Sequence, residues 1–212
     1  MNFRVIEHPL VAHKLTLLRD QLTPTVLFRD LVEELVMLLA YESTKDIEVV
    51  PKKIQTPICE TEGVSLGEPQ PVVVPIIRAG LGMLSGMLKL LPSAEVGFLG
   101  MKRDEQTLDN VTYANRLPKS LEGRRCFILD PMLATGGTIA AAARYLTDKG
   151  AKNITSIALL SAPEGVEFLR KSISSKINLT VISASLDDRL NELGYIVPGL
   201  GDAGDRLYGS VD

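Results

Sequence analysis

The chain has 212 residues, 45% of them hydrophobic, which suits one α/β domain spanning 1–212 with a full core. A formal charge of −3 leaves none of the basic excess that marks nucleic-acid binding. No apolar run reaches the length of a bilayer span and Met1–His8 lacks the apolar core of a secretion signal, so a cytoplasmic protein is expected. Cys59 and Cys126 lie in apolar, strand-like surroundings without CxxC spacing and are expected to be buried thiols. His8 and His13 match no common metal-ligand spacing and are expected to be structural or surface residues.

Val11–Gln21 is rich in Leu and Lys. Beyond it Val26, Leu27, Leu31, Leu35, Leu38 and Leu39 recur at helical spacing after the start signals Thr23, Pro24 and Thr25. This predicts a long amphipathic helix that packs on the sheet or on a second subunit. From Asp46 to Pro71, short β-prone pieces broken by Pro51, Pro57 and Gly63 predict edge strands rather than core. Val72–Ile77 is a buried strand in which Pro75 favours an edge or an end. A helix carrying Met83, Leu84, Met87, Leu88 and Leu91 stops at Pro92, and a strand over Ala94–Met101 follows. Polar Lys102–Leu117 reads as an extended arm or hairpin. Phe127-Ile-Leu129 closes another buried strand, and Ile139-Ala-Ala-Ala-Ala-Arg-Tyr-Leu146 is a strong helix. Strand Ile154–Leu160, helix Glu164–Lys171 and strand Ile177–Ala184 complete a series of parallel βαβ units, with no internal repeat.

Between the buried strand and the Ala-rich helix stands Asp130-Pro-Met-Leu-Ala-Thr-Gly-Gly-Thr138. A strand, a small-residue loop and a helix N-terminus together hold phosphate: glycines allow close backbone approach, and free N–H groups and the helix dipole favour an anion. A Walker-type loop needs Lys where Gly137 stands, and a dinucleotide loop needs three spaced glycines rather than one adjacent pair. Arg78 directly follows a strand, beside Gly80-Leu-Gly82, which would let backbone approach a bound group, and Arg103-Asp104 lies just past the next strand. Two guanidiniums at one sheet edge can clamp a diphosphate, or each can simply pair with a neighbouring acid. Gly199, Gly201 and Gly204 spell GxGxxG, but the short remainder cannot supply the helix and βαβ unit of a dinucleotide site. So glycine-rich a loop, anchored by Tyr195, Ile196 and Val197, suits the presentation of bare backbone to a small polar base better than a flexible tail.

Hydrophobic strand, acid, apolar spacer and Thr-Gly resemble the phosphoribosyl-diphosphate (PRPP) loop of type I phosphoribosyltransferases. The form Asp-Pro-Met-Leu-Ala-Thr-Gly-Gly-Thr is similar to the uracil phosphoribosyltransferase branch, with Pro131 where most relatives carry a second acid. The likeness continues through His8-Pro-Leu10, His13–Asp20, Pro75–Gly80, Arg103–Leu108, Ser161–Val166, Leu186–Asn191 and Tyr195–Arg206. Lys102 and Ala114 depart from it, standing where the family usually has Tyr.

The resemblance implies a parallel sheet flanked by helices, with a β-arm and a C-terminal base-binding segment, and transfer of phosphoribosyl from PRPP to uracil. It implies PRPP contacts from Arg78, Arg103, Asp130, Pro131, Met132, Leu133, Ala134, Thr135, Gly136, Gly137, Thr138 and Asp202. Uracil contacts fall on Ile196, Gly201, Asp202 and Ala203, and catalytic roles on Asp130, Arg103 and Asp202. Backbone donors and acceptors suit the two carbonyls and N3–H of uracil and leave a donor facing a donor with cytosine. Mg²⁺ is expected on PRPP rather than in a protein cage, the arm is expected to close over the site, and the partners are a second copy or more of the chain and GTP as a candidate effector, with no nucleic acid and no membrane. The rivals are a different acceptor base, a regulatory RNA-binding protein on the same fold, and an unrelated α/β nucleotide binder.

Overall fold

Val72-Val-Val74 and Cys126-Phe-Ile-Leu129 lack polar alternation, the pattern of strands covered on both faces, and they lie side by side at the centre of one sheet. The computed structural model describes residues 1–103 and 110–210, with side chains at all of these except 102–103 and 110–114. The chain opens with β1 (Asn2–Val5), α1 (Pro9–Arg19), α2 (Thr25–Ser43), β2 (Val49–Gln55) and β3 (Glu60–Leu66). Next come β4 (Val72–Ile77), a 3₁₀ turn (Ala79–Met83), α3 (Leu84–Leu90), β5 (Glu95–Val96), β6 (Phe98–Arg103) and β7 (Asn110–Arg116). The remainder is β8 (Arg125–Leu129), β9 (Met132–Leu133), α4 (Gly137–Asp148), β10 (Asn153–Ser161), α5 (Pro163–Ser172), β11 (Asn178–Leu186), β12 (Arg189–Leu190), β13 (Ile196–Val197) and α6 (Ala203–Tyr208).

The main sheet has the order β1-β11-β10-β8-β4-β6-β7, with every pair parallel except β6–β7. Alternate strand residues feed two cores. Val73, Phe127, Leu129 and Ile157 meet α1, α2, α3 and α6, while Val72, Val74, Cys126 and Ile128 meet α4 and α5. Helix α2 buries Phe28, Leu31, Val32, Leu35, Val36 and Leu39, so the predicted amphipathic helix packs on the sheet. The expected architecture, parallel sheet, flanking helices, β-arm and C-terminal segment, is the one observed. No helix among the described residues is long and apolar enough to cross a membrane.

Residues 2–5, for which the sequence carries no strand signal read above, form an edge strand on β11. Of the two places Pro75 favours, an edge or an end, it takes the end: β4 pairs with β8 through Val72–Pro75 and with β6 through Ile76 and Ile77, so the missing N–H falls where pairing changes hands. Two expectations need correction. Cys59 is exposed, because β2 and β3 pair only with each other and carry their turn away from the core, whereas Cys126 is buried in β8. Tyr195 is also exposed, so its ring is not the anchor expected; it holds its turn through its backbone bonds with Asn191. The arm is the antiparallel β6–β7 hairpin; its tip, including Asp104, and the side chain of Arg103 lie outside the described residues.

Candidate active site

Parallel strands end on one edge, and here the chain changes direction between two of them. From β4 it passes through α3 to β6 on one side, and from β8 through α4 to β10 on the other, with α3 and α4 on opposite faces. The crevice above such a switch point is where open α/β sheets take ligands. Arg78 follows β4 and Asp130 follows β8, so the two stand on either lip of that crevice, and Arg103 ends the neighbouring β6.

The loop that leaves Asp130 is held from beneath. Pro131 and Leu133 are buried, and their carbonyls accept from Leu159 and Leu160 (2.9 and 3.1 Å) and from Ala162 (2.8 Å) on and beyond β10. What they contribute is the path of the loop, while Met132 and Ala134 are partly exposed and Thr135 is exposed. Gly136 has φ +82°, and a Cβ there would stand 2.6 Å from the Gly165 carbonyl oxygen, so neither the turn nor its seat on α5 admits a side chain. Helix α4 begins at Gly137 with no side-chain cap, and its first bond runs from Ala140 N–H to the Gly136 carbonyl at 3.0 Å. The N–H groups of Gly137, Thr138 and Ile139 therefore precede the helix ladder and suit an anion.

Asp130 is partly exposed. Desolvation by the surrounding strand ends pushes its carboxyl up to about 6, against a weaker opposing hydrogen bond from the Met132 N–H. Among the described residues no group of three His, Cys, Asp or Glu side chains could hold a metal. The Asp130 carboxylate, beside uncapped helix N–H groups, fits a Mg²⁺ ion that would keep most of its ligands from a bound phosphate and water.

Gly80 and Gly82, read in the sequence as letting backbone approach a bound group, make room in the fold for the chain itself. A Cβ on Gly80 would lie 2.2 Å from the Leu129 carbonyl oxygen, and one on Gly82 would lie 2.7 Å from the Leu207 side chain. They let the turn after β4 lie against the end of β8 and against α6. By that contact the C-terminal segment joins the crevice: Arg78 Nη2 is 3.9 Å from Asp205 Oδ1, and both side chains are about half exposed, at 48% and 44%. The GxGxxG stretch does form a helix, but only Ala203–Tyr208, and Asp202 caps it by accepting from the Asp205 N–H at 2.9 Å. Gly201 and Asp202 are exposed toward solvent, whereas Ala203 and the side chain of Ile196 are buried, so Ile196 can offer a ligand only its backbone. Arg78, the Asp130–Thr138 loop and the Ile196–Ala203 segment are thus gathered at one sheet edge.

Sequence reasoning gave no role to Arg19, Asp187 or Arg206, which hold the segment in place. Arg19 Nη1 donates to Asp187 Oδ2 and to the Gly199 carbonyl, both at 2.7 Å. Arg206 donates to the carbonyls of Leu18 (2.7 Å), Leu200 (3.1 Å) and Asp20 (2.7 Å), with its guanidinium 4.3 Å over the Phe28 ring. The only sequence signal was that Arg19, Asp187 and Arg206 all fall inside resembling segments.

The profile of the uracil phosphoribosyltransferase family matches residues 5–210. A curated relative from Beutenbergia cavernae, named uracil phosphoribosyltransferase, is 61% identical over the whole of both chains. One of the same name from Kineococcus radiotolerans is also 61% identical over the whole of both. Among solved structures, the AQ2163 protein from Aquifex aeolicus superposes with a TM-score of 0.90 at 42% identity over 98% of each chain.

Proposed function

This chain belongs to the uracil phosphoribosyltransferase family, and from that premise we propose how its residues carry 5-phosphoribosyl from PRPP to uracil, giving UMP and diphosphate. The observation that carries the reading is the uncapped start of α4, reached through left-handed Gly136, at the switch point between Arg78 and Asp130. The N–H groups of Gly137 to Ile139 and the Thr135 and Thr138 hydroxyls hold the 5′-phosphate, each charge-assisted bond contributing about 1.5–3 kcal/mol. Asp130 accepts the ribose hydroxyls. Arg78 and Arg103 bind the diphosphate, whose negative charge grows as the C1′–O bond lengthens. Bound on the diphosphate, Mg²⁺ supplies further neutralisation of that leaving group.

Backbone of Ile196, Gly201 and Ala203 reads the uracil edge, and Asp202, whose Oδ1 is engaged as a helix cap, orients the base with its remaining acceptor capacity. Uracil nitrogen attacks a sugar carbon already close to a cation, so no strong base is required. The arm over Lys102–Leu117 closes on the site and excludes water.

With labelled uracil, PRPP and Mg²⁺ the protein is expected to form UMP. Arg78→Ala and Arg103→Ala are each expected to lower kcat/KM for PRPP by about 10²- to 10³-fold. Full turnover in both variants would remove the diphosphate assignment.

The 1–212 chain acts as one domain in a homodimer or larger assembly. The β2–β3 hairpin supports this: Val49, Val50, Ile54, Ile58 and Val64 are exposed on it, Ile58 at 90%, and it touches the core only near its base, at Leu66, whereas a two-stranded hairpin standing alone is marginally stable. In sedimentation velocity the intact chain should run as a dimer or larger. Replacement of residues 49–66 by a short Gly-Ser linker should shift it to monomer; an unchanged coefficient would place the interface elsewhere. Two free thiols, Cys59 and Cys126, accord with the reducing cytoplasm. GTP stays a candidate effector, to which we assign no site.

A further inference from the structure

We propose that the pair of partly exposed Arg19 and buried Asp187 is the positioning device of the base-reading turn, fixing Gly199 and, through it, the backbone of Gly201–Ala203 against uracil. The inference rests on the reading above that Ile196–Ala203 holds the base.

The pair grips one residue by both of its peptide groups. Asp187, directly after β11, has a side chain only 1% exposed and accepts four directed bonds. Two come from Arg19, at 2.7 and 2.5 Å, one from Ser185 Oγ at 2.8 Å, and one from the Gly199 N–H at 3.0 Å. The same Arg19 Nη1 donates to the Gly199 carbonyl at 2.7 Å. Gly199 itself has φ +64°, and a Cβ on it would lie 2.1 Å from the Ile196 carbonyl oxygen, so the turn doubles back onto a second base-contacting residue.

A desolvated ion pair of this kind contributes little net stability compared with apolar packing. What it supplies is direction. A planar fork bonded to a carboxylate and a carbonyl at once admits one arrangement of the three groups. Arg206 adds a second hold at Leu200 and returns to the last carbonyls around α1, so the turn is bolted to the end of that helix on both sides. Neither Arg19 nor Asp187 is among the groups assigned to contact substrate; both act through Gly199.

Lysine at position 19 keeps a cation opposite Asp187 but cannot bridge the carboxylate and the Gly199 carbonyl as a fork. Arg19→Lys is therefore expected to raise KM for uracil about tenfold, with kcat and KM for PRPP within about twofold of the parent and preference for uracil over cytosine reduced. Ala203→Leu, which crowds the base segment itself, is measured beside it. A raised uracil KM in both variants supports the proposal. A raised KM with Ala203→Leu and a normal one with folded Arg19→Lys overturns it and leaves the base segment intact. Normal values in both overturn the base-segment reading and the positioning role with it. Should Arg19→Lys fail to fold, the double variant Arg19→Met, Asp187→Leu removes both charges at similar volume. In that variant a normal uracil KM overturns the proposal and a raised one, with PRPP binding unchanged, sustains it.

Discussion

Asp130→Asn is expected to leave a protein that melts higher than its parent at pH 8 and transfers almost no phosphoribosyl. The carboxyl has a folded-state value of about 6 against an ordinary 3.8, because burial disfavours its charge. Below the ordinary value both folded and unfolded chains are protonated and the site costs nothing. As pH rises from 3.8 to about 6 the unfolded chain ionises while the folded chain keeps its proton, and stability falls to a level that then holds at higher pH. Asn cannot ionise, keeps an acceptor for the Met132 N–H, and escapes that cost. The gain should be on the order of 1–3 kcal/mol at pH 8 and vanish near pH 4. The charge that destabilises the free enzyme is the one proposed to receive the ribose hydroxyls, so kcat should fall about 10³-fold. In the parent, kcat/KM for PRPP should decline as pH drops through about 6. Thermal melts at several pH values together with steady-state rates check both halves. A melting gain independent of pH, or a variant that retains its rate, would separate Asp130 from the role given to it.

Gly136→Ala should be the most damaging single methyl group in the phosphate cradle. At φ +82° an L side chain costs roughly 1–2 kcal/mol by itself. Here the added carbon would also stand 2.6 Å from the Gly165 carbonyl oxygen and 3.2 Å from the Phe168 ring, and the first of these is backbone that cannot turn aside. The loop must lift off α5 and carry the start of α4 with it, so the N–H groups at Gly137–Ile139 lose their aim. KM for PRPP should rise at least about 10²-fold, since small misplacements of binding groups cost that much. Gly194→Ala separates strain from collision: it has the same φ of +82°, nothing within 4 Å of its Cβ, and no part in the phosphate cradle. It should share the loss of melting temperature in part and keep a normal KM for PRPP. Equal PRPP affinity in the two variants would mean that the seat of Gly136 on α5 is irrelevant to binding.

The strand, turn and helix start assigned to phosphate were legible in the amino-acid sequence because every part of them is local. An unbroken apolar strand, one acid at its exit, an adjacent glycine pair and a run of strong helix formers dictate strand, turn and helix N-terminus within a dozen residues, and no distant group alters that. The parallel architecture followed for the same reason, from strands and helices in alternation. Tertiary structure decided what depended on remote approach. That Gly80 and Gly82 make room for Leu129 and Leu207 is set by approach of distant segments. Cys59 is β-prone and apolar in its surroundings, but it sits in the turn of a hairpin that meets the core only at its base. The Arg19–Asp187 grip on Gly199 joins residues far apart along the chain. An ion pair leaves no periodicity and no composition signal in either partner's neighbourhood, so only the folded chain could reveal it.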